Sequence, residues 1–332
     1  MDEIITLDYG SGGKKTARLI DELLLPAFSN PALDALGDGA LIRGAEQLAF
    51  STDSFVVDPI FFPGGDIGKL AVCGTVNDLA VCGAEPKYLS CAFILEEGLA
   101  MSDLRRIVDS IRSQCAALGV AVVTGDTKVV EKGRGDKIYI NTAGIGFVKH
   151  PGLSPKNIRA GDVVIVSGTV GDHGTAVMLA RSGMMQGDIR SDCAALSPLC
   201  ARVLAAAKGV RVLRDPTRGG VATTLNEFVE GGELGIVIDE AAVPVRPQVR
   251  AACELLGLEA LYCANEGKVL AVVAAEDADK VLAAMRESAE GRDAAVIGRV
   301  TADYPGKLVM RTAFGGKRIL QKLTGAQLPR IC

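Results

Sequence analysis

Met101-Ser-Asp-Leu-Arg-Arg-Ile-Val-Asp-Ser-Ile-Arg-Ser-Gln-Cys-Ala-Ala-Leu118-Gly-Val-Ala-Val-Val-Thr124-Gly-Asp126-Thr-Lys128 holds a helix, a stop and a strand in one run, and its reading decides the fold. Leu104, Ile107, Val108, Ile111, Cys115 and Leu118 recur at helical spacing. Ser102 is placed to cap the start and Gly119 to end the helix. The apolar run 120–124 then reads as a strand ending at Gly125-Asp126. Working outward, residues 48–52 read as a strand ending at Asp53, 68–82 as a helix rich in small residues, and 87–95 and 137–148 as strands. His150-Pro151-Gly152 opens a turn-rich linker reaching to about Gly161. Beyond it the alternation resumes with a strand at 162–167, a helix opened by Ser197-Pro198, a helix at 220–229 and strands at 234–238 and 269–275. A helix at 276–289, a strand at 294–300 and a hairpin at 307–320 follow. The expected architecture is α+β in two domains, residues 36–155 and 156–322. A glycine-rich head at 1–35, with a short helix at 16–25, precedes them. A tail at 323–332 without periodicity follows and reads as flexible.

Length supports the division, because 332 residues exceed what one hydrophobic core usually serves. Hydrophobic residues make up 48% and charged residues 23%, enough to bury a sizeable core. With no Trp, that core must be aliphatic. A formal net charge of −4 without a basic stripe argues against nucleic acid as a partner. No run reaches the length of a membrane span, and Met1-Asp2-Glu3 puts acids where a secretory signal needs cations. Nine scattered cysteines without a C-x-x-C pair, and only two histidines, disfavour a disulfide framework or a structural zinc site. A reducing, cytoplasmic setting follows, with eight of the cysteines expected as small core residues.

Five aspartates sit beside glycines or at expected strand ends: Asp38, Asp53, Asp78, Asp126 and Asp215. Carboxylates so placed suit magnesium, which takes hard oxygen ligands and shares them with nucleotide phosphates. Each one singly reads equally as a turn residue. Asn77-Asp78 is the exception, because two polar side chains interrupt an apolar helix and a buried unpaired carboxylate is costly. The head Gly10-Ser-Gly12-Gly13-Lys14 approaches a P-loop but fails its spacing, since Asp8 occupies the position of the first glycine. A loop folding over phosphates and a solvated turn both fit it. Lys128, after the Gly125-Asp126-Thr127 turn, is a candidate for phosphate contact, and Glu266 stands just before a strand; both read equally as plain surface charges. Cys332 ends the chain after Pro329-Arg330-Ile331, as a thiol carrier or as an incidental cysteine.

The head Asp8-Tyr-Gly-Ser-Gly-Gly13 and the runs Ser51-Thr-Asp-Ser-Phe55, Phe61-Phe-Pro-Gly-Gly-Asp66 and Gly74-Thr-Val-Asn-Asp-Leu-Ala80 resemble the HypE family of hydrogenase maturation proteins. Gly125-Asp-Thr-Lys128, Asp215-Pro-Thr-Arg-Gly-Gly220, Asn265-Glu-Gly267 and Pro329-Arg-Ile-Cys332 extend the likeness over essentially the whole chain. The resemblance implies a two-domain fold of the aminoimidazole ribonucleotide synthetase (PurM-like) superfamily, a homodimer formed by the N-terminal domains, and ATP in a cleft beside that interface. It implies ATP-dependent dehydration of an S-carbamoyl group on Cys332 to a thiocyanate, the source of the cyanide ligand of [NiFe]-hydrogenase. Implied partners are HypF as carbamoyl donor and HypC with HypD as cyanide acceptors. The resemblance makes Cys332, Glu266 and Lys128 catalytic candidates. It makes Asp38, Asp53, Asp78, Asp126 and Asp215 candidates for ATP and magnesium, with Asn77, Gly12, Gly13 and Lys14 joining them for the nucleotide. Another PurM-like kinase or synthetase, or a scaffold whose tail docks on partners, are the alternatives.

Overall fold

In the computed structural model, which describes residues 2–37, 39–183 and 188–323, the chain begins with α1 (Lys14–Leu19), a π turn (Ile20–Leu24) and α2 (Leu25–Phe28). Then come β1 (Leu48–Phe55), a two-residue hairpin β2 (Phe61–Phe62) and β3 (Gly65–Asp66), and α3 (Ile67–Val81). The N-terminal half closes with β4 (Ala84–Glu96), α4 (Met101–Leu118), β5 (Ala121–Val130) and β6 (Ile138–Val148). Its sheet runs β1-β6-β4-β5, antiparallel except for β4 beside β5. That parallel pair is the one bridged by α4, as a parallel crossover requires.

The C-terminal half comprises β7 (Val163–Val166), α5 (Asp172–Ser182), α6 (Ser197–Ala206), β8 (Val210–Arg214), α7 (Gly220–Val229) and β9 (Gly235–Asp239). It continues with α8 (Pro247–Leu256), β10 (Leu270–Val273), α9 (Ala278–Arg286), β11 (Ala295–Thr301), β12 (Leu308–Arg311) and β13 (Lys317–Leu320). The seven strands order as β13-β12-β9-β11-β7-β10-β8. Both faces are covered, so β7 and β10 are apolar without alternation. Val164, Val166, Leu270 and Val272 pack towards α7, whereas Val163, Ile165, Ala271 and Val273 pack towards α6 and α9.

Helix α3 joins the two halves. Among its fifteen residues only Lys69 and Asp78 escape burial. One side packs on β1, β4 and β6 of the first sheet and on α4. Its last turn, Ala80 and Val81, enters the core of the second half with Leu196, Leu199 and Val203. A helix apolar on every side has no amphipathic stripe because it has no solvent side.

Several local expectations are corrected. Ala100, not Ser102, occupies the N-cap of α4, so Ser102 lies inside the first turn. Leu196 holds that position for α6, and Ser197 makes no capping bond. Gly119 does end α4, in the left-handed conformation (φ 64°) that glycine adopts without strain. Strand β1 continues past Asp53 to Phe55, and β5 continues through Gly125-Asp126 to Val130, because Thr127–Val130 pairs with Phe93–Glu96. Helices α5 and α8 and strand β8 were not legible. Gly171 and Gly174 weaken the helical signal of α5, and the five residues of β8 are too few for periodicity. Of the eight described cysteines seven are buried, but Cys82 is exposed, at the C-cap of α3 where the helix leaves the core.

The first sheet keeps one face uncovered. Leu48, Phe50 and Ile94 lie on it, 48%, 71% and 43% exposed. By register Asn141, Ala92 and Asp126 share this face, as do Tyr139 and Lys128 beside Ile94.

Candidate active site

Four acids meet where α3 crosses between the halves. Asp53 points from β1 towards α3: a Cβ added at Gly74 of α3 would sit 3.7 Å from its Oδ2. Asp78, on the last turn of α3, accepts a hydrogen bond from the Ser51 hydroxyl at 2.5 Å. Asp215 follows β8 and Glu266 precedes β10, and both are buried. Burial and the neighbouring Asp78 raise the Asp53 carboxyl, with Arg218 opposing. Asp215 is pushed up to about 7, first by burial and then by Asp78, with Asp53 adding to it. Glu266 is raised well above the usual carboxylate range by burial, then by Asp215, Asp192 and Asp53. Like charges crowded in a dry site hold protons that water would remove, and such groups mark functional sites. A cleft of about 590 Å³ opens beside them, lined by Ser51, Asp78, Cys82, Arg214 and Asp215, with Gly152 of the linker at its rim.

Asn77 belongs to the same helix turn but is fully occupied. Its Nδ2 donates to the Ala194 carbonyl at 3.0 Å, and its Oδ1 accepts from the Leu196 N–H at 2.7 Å. Both atoms thus serve as a clamp between the two halves. Asn265 plays the same part beside Glu266: Oδ1 accepts from Gly171 N–H, and Nδ2 donates to the carbonyls of Pro216 and Cys263. It ties the Asp215-Pro216 turn to the Glu266 segment. Reading the sequence missed Asn265, Ser51 and the buried pair Asp192 and Lys268. Ser51, Asn265 and Lys268 stand within or beside quoted motifs, whereas nothing around Asp192 signals its place.

Asp126 and Lys128 lie elsewhere. Lys128 Nζ donates to Asp126 at 2.8 Å, both are about two-thirds exposed, and Lys128 holds the Asp126 carboxyl below its ordinary value. They stand on β5 and Asp53 on β1, the two edges of the sheet. Three strand spacings separate those edges, about 14 Å. They also face opposite ways. Asp53 is in register with Thr142, whose hydroxyl donates to Ala71 of α3, whereas Asp126 shares the open face. One chain therefore does not bring Lys128 to Glu266.

Gly13 caps α1, Gly12 N–H donates to the Thr16 hydroxyl, and Lys14 starts the helix, all at the exposed head. Beside Asp126, head helices and strands enclose a cavity of about 280 Å³ lined by Thr16, Ile20, Phe28, Val122 and Thr124. Asp38 and the tail with Cys332 lie outside the described residues. Among the described residues no three His, Cys, Asp or Glu side chains are placed to hold a metal by themselves.

Comparison with known proteins identifies the family. The family described as AIR synthase related protein matches twice, its N-terminal domain over residues 36–148 and its C-terminal domain over 159–311. The carbamoyl dehydratase HypE of Rhodobacter capsulatus is 50% identical over 337 residues, covering 100% of this chain and 99% of the relative. The chain belongs to the HypE family of carbamoyl dehydratases. A crystal structure of the hydrogenase maturation protein HypE in complex with ATP superposes with a TM-score of 0.95 at 49% identity, over 98% of this chain and 99% of that one. A HypE–HypF complex structure matches with a TM-score of 0.80 at 46% identity, over 92% and 99%. Full-length identity within the HypE family makes the chain an enzyme of hydrogenase maturation, a dehydratase. It sets aside the PurM-like kinase and the inert scaffold.

Proposed function

We propose that the chain converts an S-carbamoyl group on Cys332 to a thiocyanate in the cleft beside Asp78 and Asp215, coupled to hydrolysis of ATP. One observation carries this reading: Glu266 is buried, raised in pKa and has an Oε1 with no hydrogen-bond partner, close to Asp215, which with Asp78 lines a cleft. An orphaned buried carboxylate oxygen is costly, so it calls for a donor that arrives with the substrate. An amide N–H is such a donor.

Asp53, Asp78 and Asp215 fit magnesium with a nucleotide. They are hard oxygen donors that repel one another, and Mg²⁺ is ordinarily held by one or two carboxylates plus phosphates. When bound, Mg-ATP supplies the phosphoryl group on which the carbamoyl oxygen leaves. Glu266 takes the nitrogen protons in turn, as the general base. Lys128 offsets charge on the phosphates as a point cation. Asp126, Asp38 and the Gly12-Gly13-Lys14 head complete the nucleotide contacts.

Lys128 reaches Glu266 from a second copy of the chain. The open sheet face with Phe50 and Ile94 is the proposed homodimer surface, and pairing two such faces lays β5 of one copy beside β1 of the other. The domains at 36–155 and 156–322 then divide the work: the first pairs, and the second supplies Asp215 and Glu266. HypF as carbamoyl donor, HypC with HypD as acceptors and a cytoplasmic setting complete the reading. No described helix is long and apolar enough to cross a membrane.

The test mixes two impaired variants. Lys128→Ala and Glu266→Gln, each left with only a small residual rate, are equilibrated together, and loss of water from carbamoylated Cys332 is followed by mass spectrometry with ATP. Random exchange leaves half of the dimers mixed, each with one intact site, so about a quarter of wild-type activity should return. A mixture no more active than its parts rejects the shared site, and full activity of Glu266→Gln alone rejects the base.

A further inference from the structure

No hydrogen bond to Oε1 aims the Glu266 carboxyl. Its direction comes from its backbone, and that backbone is held by residues 192–194. The Asp192 carboxylate accepts the Glu266 N–H at 3.0 Å, and the Glu266 carbonyl accepts the Ala194 N–H at 3.1 Å. The two segments approach so closely that a Cβ added at Gly267 would lie 1.9 Å from the Asp192 carbonyl oxygen. Asp192 is itself fixed by Lys268, whose Nζ donates to Oδ2 at 3.1 Å and to the Gly267 carbonyl at 3.2 Å. The side chains of both partners are less than a tenth exposed.

The 191–196 segment is in turn pinned from three elements. Ser191 N–H donates to the Pro63 carbonyl, His173 Nδ1 on α5 bonds the Ser191 hydroxyl at 2.8 Å, and Asn77 on α3 grips residues 194 and 196. A template held this way moves little, and what lies against it inherits its position. Stability alone does not explain a buried ion pair here, because apolar residues of the same volume commonly serve packing as well or better. What the apolar pair lacks is an acceptor for the Glu266 N–H.

We propose that Asp192 is the positioning residue of Glu266, with Lys268 holding the Asp192 carboxylate in place. The inference rests on Glu266 being the base of the dehydration. Two doubly substituted full-length chains test it, and neither strands a buried charge. Asp192→Asn with Lys268→Met keeps an acceptor for the Glu266 N–H, and Asp192→Leu with Lys268→Met removes it.

With Cys332 carbamoylated, the dehydration rate at saturating ATP and the ATP concentration for half that rate are measured in both. The Leu/Met chain should lose about 10²-fold in rate, as a misplaced catalytic group does, with half-saturation within about twofold of wild type. The Asn/Met chain should regain most of that loss. Added to Glu266→Gln, the Leu/Met pair should change the residual rate by no more than about twofold, since it acts through the group already removed. Equal rates in the two chains overturn the proposal. So does the same loss in both Glu266 backgrounds, or a Leu/Met chain that fails to fold. If Glu266→Gln alone keeps full turnover, it is the base assignment that has failed and not the clamp.

Discussion

Replacing Asn77 by Ala separates two readings of one residue. The motif places Asn77 among nucleotide contacts, but its amide spans the two halves of the molecule, Nδ2 to Ala194 and Oδ1 to Leu196. Asn77 is 1% exposed and Leu196 0%, while Ala194 is half-buried. The Ala variant leaves a carbonyl and an N–H without partners there. Each orphaned group costs about 1–3 kcal/mol, so the loss of two should be about 2–6 kcal/mol. Against the 5–15 kcal/mol typical of folded domains, such a change moves the unfolding midpoint well outside error. Urea unfolding of the apo chain followed by far-ultraviolet circular dichroism reads it directly, since the chain has no Trp to report by fluorescence. Asn77→Asp sharpens the result. It keeps the acceptor for Leu196 but sets a carboxylate oxygen against the Ala194 carbonyl, next to Asp78. Its destabilisation should therefore exceed that of Ala at pH 8 and shrink at pH 5, as the added acid takes a proton. A loss below about 0.5 kcal/mol for Asn77→Ala, the range of neutral surface changes, would refute the clamp. It would do so most clearly if ATP affinity fell instead.

Two further outcomes follow from the same geometry. Asp215 holds its proton to about pH 7 when folded, against an ordinary value of 3.8. Its penalty is absent below the lower value, grows between the two and levels off above the upper one at about 4 kcal/mol, at 1.36 kcal/mol per pKa unit. In chelator, Asp215→Asn should raise the melting temperature at pH 8 far more than at pH 4, and parallel curves would reject the shift. Phe50→Glu puts a charge in the open sheet face and should reduce the mass measured by light scattering to the 34.5 kDa of one chain. Persistence of the dimer would place the interface elsewhere.

Elements with strong periodicity or clear stops were legible along the chain. Helix α4 announced itself by its apolar spacing and Gly119. Those that failed did so for local reasons. Asp53 and Asp126 looked like strand ends because each lies among polar residues or beside a glycine, in Ser51-Thr-Asp-Ser54 and Gly125-Asp-Thr-Lys128, yet strand pairing carries β1 and β5 onward. Pairing is a property of the neighbouring strand, and the residues themselves do not encode it. The acids of the site were identified by motif, but spacing alone was silent on which of them meet.

Residue order by itself determined the chemistry available here: carboxylates with glycines, a lysine after Gly125-Asp126-Thr127, a glutamate before a strand and a thiol at Cys332. It also determined the family, because so many motifs occur in one order along the whole chain. Only the tertiary structure decided which groups share a solvent. Packing α3 between two sheets buries Glu266 and Asp215 together, and low polarity with mutual repulsion lifts their proton affinity. Folding also sends Lys128 to the far edge of the sheet and makes Asn77 and Asp192 supports for the site. Burial and direction arise from contacts between residues distant in sequence, so no local pattern carries them.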